Sequence, residues 1–175
     1  MLKIYTALIS LIFFNLSAEV IQKLEVKGNN RISLETIKVY GDVTYGKDYS
    51  PSEVNEILKN LYETNFFENI NISLSNSVLT VQVKEYSIIN SISLEGEKSS
   101  SAKEQILGKL SLKAKESFIE SKLTQDINLI KNIYASIGFN FANVDAKIER
   151  FDENRINLIY FLDKGKKTDI AKINF

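Results

Sequence analysis

The side chains available for chemistry in this chain are carboxylates, hydroxyls and lysine amines, because its 175 residues include no His, Cys or Trp. Without His and Cys, the sequence excludes a Ser-His-Asp or Cys-His nucleophile, a zinc finger, a thiolate metal site and a disulfide framework. A general nucleic-acid binder is disfavoured too, since 22 basic residues are balanced by 22 acidic ones and affinity for phosphates needs a basic excess.

Two acidic arrangements remain as candidate sites. Asp152 and Glu153 lie together in a predicted turn and offer two ligands to a cation, but a third ligand is missing, so we interpret them as turn formers. Paired carboxylates for glycoside hydrolysis are the one enzymatic option that the composition leaves open, yet no pattern places two acids in one cleft. We therefore expect no enzymatic activity, no cofactor and no metal.

The segment from Met1 to Ala18 has the layout of a secretory signal peptide. Lys3 precedes an uncharged apolar stretch, and the small residues Ser17 and Ala18 precede the first acid, Glu19. The apolar stretch is roughly 13 residues long, short of the ~20 that a membrane-spanning helix needs. Cleavage after Ala18 is predicted, with an uncleaved anchor as the alternative, and the mature chain is expected to be exported.

The rest of the chain contains an internal repeat. The apolar spacing that ends at Gly28 recurs in the segment that ends at Gly96, and a Ser expected to begin a helix recurs at the same offset as Ser33 and Ser101. Self-similarity at a fixed period predicts two copies of one small module.

The second helix of each copy has its own markers. Ser50-Pro-Ser-Glu53 and Ser117-Phe-Ile-Glu120 are both predicted capping boxes, in which the Ser side chain accepts from a helix N–H and the Glu reaches back to the cap. Within these helices, Asn60-Leu-Tyr62 recurs as Asn132-Ile-Tyr134. Asn65, which tolerates the left-handed conformation, is predicted to end the first of them.

Each copy is predicted to run strand, helix, helix, strand, strand. The hydrophobic periodicity places strands at 20–27, 70–74, 79–83, 89–94, 144–148 and 158–162, and helices at 33–40, 50–64, near Ser101, and before Gly138. Module 1 is predicted at 19–86 and module 2 at 87–164. Residues 165–175 match the opening strand of both copies, so we interpret them as the first strand of a truncated third module.

Four segments, taken in order, resemble the polypeptide-transport-associated (POTRA) domains of outer-membrane protein assembly factors. They are Gly28–Ser33, Leu61–Ile70, Val83–Ile92 and Tyr134–Val144. The resemblance implies an α+β fold of tandem POTRA-like βααββ modules, each a three-stranded mixed sheet with two helices on one face. It also places the chain at the periplasmic face of a Gram-negative outer membrane, with a C-terminal barrel expected outside this chain.

The resemblance further implies where partners bind, because in this family the second strand of each module lies at the sheet edge. Carried over, the edge residues are Ile70, Asn71, Ile72, Ser73 and Leu74 in copy one, and Asn143, Val144, Asp145, Ala146, Lys147 and Ile148 in copy two. These edges are expected to bind unfolded outer-membrane proteins and accessory lipoproteins by β-augmentation. The alternatives are a TamA-like or two-partner secretion transporter, or a structural periplasmic spacer.

Overall fold

The computed structural model describes residues 19–168, which fold as two compact units. Residues 19–64 and 70–83 form the first unit, and residues 65–69 and 84–168 form the second. The predicted signal peptide and most of the predicted third-module strand, 169–175, lie outside the described residues. The module boundaries predicted at 86 and 87 stay a prediction.

The first unit contains a three-stranded mixed sheet and two helices. Its elements are β1 (Glu19–Val20), β2 (Lys23–Lys27), α1 (Leu34–Tyr40), β3 (Asp48–Tyr49), α2 (Pro51–Glu63), and the larger parts of β4 (Phe67–Ser75) and β5 (Val78–Glu85), which belong to this unit from Ile70 and as far as Val83. The strand order is β2-β5-β4, and β2 runs parallel to β5. β4 and β5 are joined at Asn76 and Ser77, whose φ angles of 53° and 63° are those of a tight hairpin turn.

The second unit repeats this plan. Its elements are β6 (Ile88–Glu95), α3 (Ser100–Lys109), α4 (Glu120–Ser136), β7 (Asn143–Arg150) and β8 (Arg155–Asp163). The strand order is β6-β8-β7, with β6 parallel and β7 antiparallel to β8. The expected α+β fold of βααββ modules is confirmed.

Local sequence explains where the helices of the first unit begin and end. Ser33 accepts from the Thr36 N–H at 3.1 Å and caps α1. The capping box at Ser50 and Glu53 is present in full and begins α2. Asn65 follows the end of α2 with a φ of 56°, as predicted.

The second predicted capping box is wrong. α4 begins only at Glu120, and its N-cap Ile119 makes no side-chain cap bond. Ser117 is held in an extended conformation by a bridge to Ile88, and the next residue, Phe118, donates its N–H to the Ser87 carbonyl at 2.8 Å. Pairing with β6 therefore outcompetes the local cap and delays the helix.

The cap of α3 is likewise displaced from the predicted position. Ser99, rather than Ser101, accepts from the Ala102 N–H at 3.2 Å. The repeat therefore located this helix start to within one turn, but the matching serine is not the residue that caps it.

The sequence pairs Tyr62 of α2 with Tyr134 of α4, but the buried positions of the two helices differ from this pairing by one residue. The buried positions of α2 are Ile57 and Leu61, and those of α4 include Ile130 and Tyr134. Leu61 therefore fills the core position in the first unit that Tyr134 fills in the second, while Tyr62 is 41% exposed. The sequence match of the two tyrosines failed because burial, rather than residue identity, defines equivalent positions.

The opening strand of the first unit is interrupted, whereas the sequence predicts one strand over 20–27. β1 pairs with β3, and β2 pairs with β5. Between them, the fully buried Ile21 exchanges backbone hydrogen bonds with Gly46 and Lys47. This contact with the chain after α1 pulls Ile21 out of the sheet ladder.

Candidate strand-binding edges of the two sheets

β4 and β7 each form one side of their sheet. They contain every residue that the resemblance assigns to the binding edges, Ile70–Leu74 in β4 and Asn143–Ile148 in β7. The opposite sides are formed by β2 and β6. An outermost strand presents a row of backbone N–H and C=O groups with no partner in its own sheet. An edge strand can therefore accept another chain only where no other part of the unit already bonds these groups.

The outer sides of β2 and β6 are both covered where these opening segments begin. The Gly46 N–H donates to the Ile21 carbonyl at 2.8 Å, and the Ile21 N–H donates to the Lys47 carbonyl at 3.2 Å. In the second unit the Lys115 N–H donates to the Ile89 carbonyl in the same way, at 2.6 Å. Within residues 19–168, the outer sides of β4 and β7 receive no comparable backbone cover.

The side chains of β4 alternate between the two faces of the sheet. Ile70 is buried and Ile72 and Leu74 are half-buried, whereas the residues between and after them, Asn71, Ser73 and Ser75, are exposed. Beside Leu74 lies a cavity of about 310 Å³, lined by Glu19, Tyr49, Pro51, Val54, Asn55 and Leu74. The edge therefore borders a partly apolar groove between α2 and β4.

The Tyr62 hydroxyl occupies the edge of β4 at one residue. It accepts a hydrogen bond from the Ile70 N–H at 3.1 Å and donates one to the Ile70 carbonyl at 3.4 Å. No sequence signal marked Tyr62 for this role. Because Leu61 fills the core, the exposed neighbour Tyr62 is left to reach β4.

β7 has a different set of side chains. Val144 faces the core, Ile148 is 46% exposed, and Asp145 and Lys147 point outward. The Lys147 ammonium lies 2.7 Å from the Glu149 carboxylate, and the hydrogen bond between them raises the pKa of Lys147. The outward surface of this edge is therefore charged.

A buried carboxylate ties the end of the second unit to its helices. Glu97 accepts from the Ser99 N–H at 2.8 Å and from the Tyr134 hydroxyl, and its other close partner is the Lys164 ammonium at 2.6 Å. The hydrogen bond from Lys164, followed by those from Ser99 and Tyr134, lowers the pKa of Glu97 to about 2. Sequence reasoning did not identify this cluster.

Acidification is expected to weaken the second unit through Glu97. The pKa of this carboxyl rises from about 2 in the folded state to an ordinary value near 4.5 on unfolding, so its contribution is present above pH 4.5 and is lost as the pH falls toward 2. Between pH 6 and pH 3 the free energy of unfolding should fall by about 2 kcal/mol. Urea unfolding at these two pH values, followed by NMR signals of β8, measures the change.

Two variants isolate this effect. Glu97→Gln cannot ionise, so its unfolding free energy should change less with pH than that of the parent chain. Glu53→Gln removes an exposed carboxyl of the first unit whose pKa is also lowered to about 2, and it should leave the pH dependence of the β8 signals unchanged. Parallel curves for Glu97→Gln and the parent would contradict the assignment.

Asp152 makes its contacts within the hairpin turn between β7 and β8, in line with its interpretation as a turn former. Asp152 accepts from the Arg155 backbone N–H at 2.8 Å and pairs with the Arg155 guanidinium at 2.6 Å. The hydrogen bond from that side chain lowers the pKa of Asp152. Its oxygens are therefore engaged within the hairpin turn.

Helices long and apolar enough to cross a bilayer are absent from residues 19–168.

Comparison with known proteins first defines the class. Residues 87–165 match the POTRA family, described as a surface antigen variable number repeat. The N-terminal domain of Omp85 from the cyanobacterium Thermosynechococcus elongatus has the same fold, with a TM-score of 0.51 at 14% identity over 81% of this chain and 61% of that one. The family match therefore covers most of the second unit, and the likeness to the Omp85 domain shows the same fold.

The similar proteins are more particularly examples of the outer membrane protein assembly factor BamA. The chain is 27% identical over 157 residues to BamA of Neisseria meningitidis serogroup B, a match that covers 89% of this chain and 20% of the relative. It is 24% identical over 159 residues to BamA of Neorickettsia risticii, covering 90% of this chain and 21% of the relative. The chain is thus similar to these BamA proteins over about nine-tenths of its own length, and it spans about a fifth of theirs.

Proposed function

We propose that this chain is a periplasmic, non-catalytic part of an outer-membrane protein assembly factor. Its open edges, Ile70–Leu74 and Asn143–Ile148, take up segments of unfolded outer-membrane proteins or strands of accessory lipoproteins by β-augmentation. The similarity to BamA over 89% of the chain supports the assembly role.

One observation carries the binding mode. In both units the strand opposite β4 or β7 is covered where it begins by the unit's own backbone, while β4 and β7 are outermost without such cover in residues 19–168. Backbone groups exchange hydrogen bonds with any extended chain, so this mode tolerates many client sequences. The assembly role requires such tolerance, because outer-membrane strands share only an alternation of polar and apolar residues.

A proline at position 72 should abolish this uptake in the first unit. Residues along a strand direct their backbone groups alternately to the two sides, and the backbone groups of Ile70 face the open edge toward Tyr62. The N–H of Ile72 therefore also faces outward, so Ile72→Pro removes a donor that the sheet itself does not use. Ile72→Ala keeps that N–H and serves as the matched control.

The probe is a synthetic peptide of about nine residues that alternates threonine with valine or tyrosine, as membrane strands do, and carries a photoreactive group. Cross-linking to segment 67–77 is quantified by mass spectrometry in the full chain. We expect Ile72→Pro to lose at least about nine-tenths of the adduct, equivalent to ~1.4 kcal/mol, and Ile72→Ala to keep most of it. Equal adducts in Ile72→Pro and the parent would refute β-augmentation at β4 and favour a structural spacer.

A further inference from the structure

The two open edges differ in what they offer to an incoming strand. In β4 the Tyr62 hydroxyl already holds the outward backbone groups of Ile70. By alternation, the next outward groups are those of Ile72 and Leu74. The free part of this edge therefore begins at Ile72 and ends at the turn after Ser75.

Charge separates segment 70–75 of β4 from the outer strands β2 and β7, and the one ion pair of β4, between Glu68 and Lys84 at 2.8 Å, lies before this segment. β7 carries the Lys147–Glu149 ion pair, and β2 carries an equivalent pair between Lys23 and Glu25 at 2.7 Å. Segment 70–75 of β4 contains only Ile, Leu, Asn and Ser. A strand that docks beside an ion pair must partly desolvate it, and charged side chains on an outer strand are a recognised protection against strand addition.

The groove beside β4 adds a place for one side chain of the partner. Val54 of α2 and Leu74 of β4 supply its apolar walls. Its one ionisable carboxylate, that of Glu19, already accepts the Ser77 N–H. An apolar side chain on the helix-facing side of an added strand would therefore lie against apolar carbon without leaving a free charge beside it.

We propose that β4, rather than β7, is the strand-receiving edge of this chain. It pairs over Ile72–Ser75 with short extended segments that alternate apolar residues toward α2 with uncharged polar residues away from it, and Tyr62 ends the pairing at Ile70. This inference rests on the proposed function, since it selects between the two edges named there.

The test uses the same photoreactive peptide, with both edges competing in one sample. Adducts on segment 67–77 should exceed adducts on segment 143–150 by at least about fivefold, the factor expected from one or two cross-strand pair interactions. Transplanting the charge pair as Asn71→Lys with Ser73→Glu should lower the β4 adduct by about the same factor. Lys147→Ser with Glu149→Ser should raise the β7 adduct.

Tyr62→Phe tests the end point of pairing. Loss of the hydroxyl frees the backbone groups of Ile70. Added peptide should then slow hydrogen exchange of the Ile70 amide in Tyr62→Phe, whereas in the parent chain it should leave this exchange unchanged. A second copy of the chain in place of the peptide would protect the Leu74 amide of β4 from hydrogen exchange without added peptide, and this protection would increase with chain concentration.

The outcomes separate this inference from the proposed function. Adducts at neither edge overturn both. Three results overturn only the selection of β4. They are equal adducts at β4 and β7, a transplanted charge pair that leaves the β4 adduct unchanged, and concentration-dependent protection of the Leu74 amide that added peptide does not alter.

Discussion

Gly96→Ala is expected to lower the Tm of the second unit by at least about 12 °C, which corresponds to roughly 3 kcal/mol for a domain of this size. Gly96 has a φ of +88°, and a Cβ added there would overlap the carbonyl oxygen of Leu162. The left-handed conformation alone costs a side chain about 1–2 kcal/mol. The clash adds to this cost, because β6 leads into Gly96 directly beside the end of β8 and neither backbone can move without breaking the ladder.

Gly108→Ala is the matched control for this prediction. Gly108 lies inside α3, and a Cβ there meets nothing within 4 Å. Alanine favours a helix over glycine by about 0.5–1 kcal/mol, so this variant should be as stable as the parent or slightly more so. Thermal unfolding of the full chain, followed by NMR signals of β8, compares the two. A Gly96→Ala variant within about 2 °C of the parent, less than ~1 kcal/mol, would show that the approach of the two strands is not required.

Gly96 also shows what the sequence could reveal about the fold. The internal repeat identifies Gly96 and its equivalent in the first unit, Gly28. Gly28 has the same constraint, since an added Cβ would overlap the Val83 carbonyl oxygen. The capping box at Ser50 and the left-handed Asn65 were equally accessible. Ser50 and Asn65 can be predicted from sequence because each is selected by its own backbone conformation or by a neighbour within one helical turn. Gly28 and Gly96 can be predicted because both have positive φ angles, a conformation that favours glycine.

The features that escaped prediction depend on contacts between distant residues. Ser117 has the sequence of a cap, but it pairs with Ile88 of β6, which precedes the whole of α3. Tyr62 reaches the edge of β4 only because the register of α2 places Leu61 in the core. For the candidate edges, the sequence supplied the strands through a family resemblance, whereas the backbone cover of β2 and β6 became visible only in the fold.

Asp126 is the feature that the residue pattern alone could have revealed. It interrupts the apolar face of α4 between Leu123 and Ile127, and such an acid inside an apolar stripe indicates a buried hydrogen-bonding role. The structure places it fully buried in the core. Its two oxygens accept from the Ser111 N–H at 2.6 Å and the Leu112 N–H at 2.9 Å, and the Tyr160 hydroxyl donates to it at 3.2 Å.

Asp126→Ala should therefore lower the free energy of unfolding of the second unit by about 3 kcal/mol or more, because it leaves two backbone donors and one hydroxyl without their acceptor. The loop after α3 would lose its attachment to α4, so the Leu112 amide should exchange its hydrogen at least about a hundredfold faster, as ~3 kcal/mol implies. Tyr160→Phe removes only the hydroxyl and should cost about 1 kcal/mol, with little effect at Leu112. If Asp126→Ala proves no more damaging than Tyr160→Phe, the loop is held by its apolar contacts at Leu110 and Leu112, and the carboxylate merely tolerates burial.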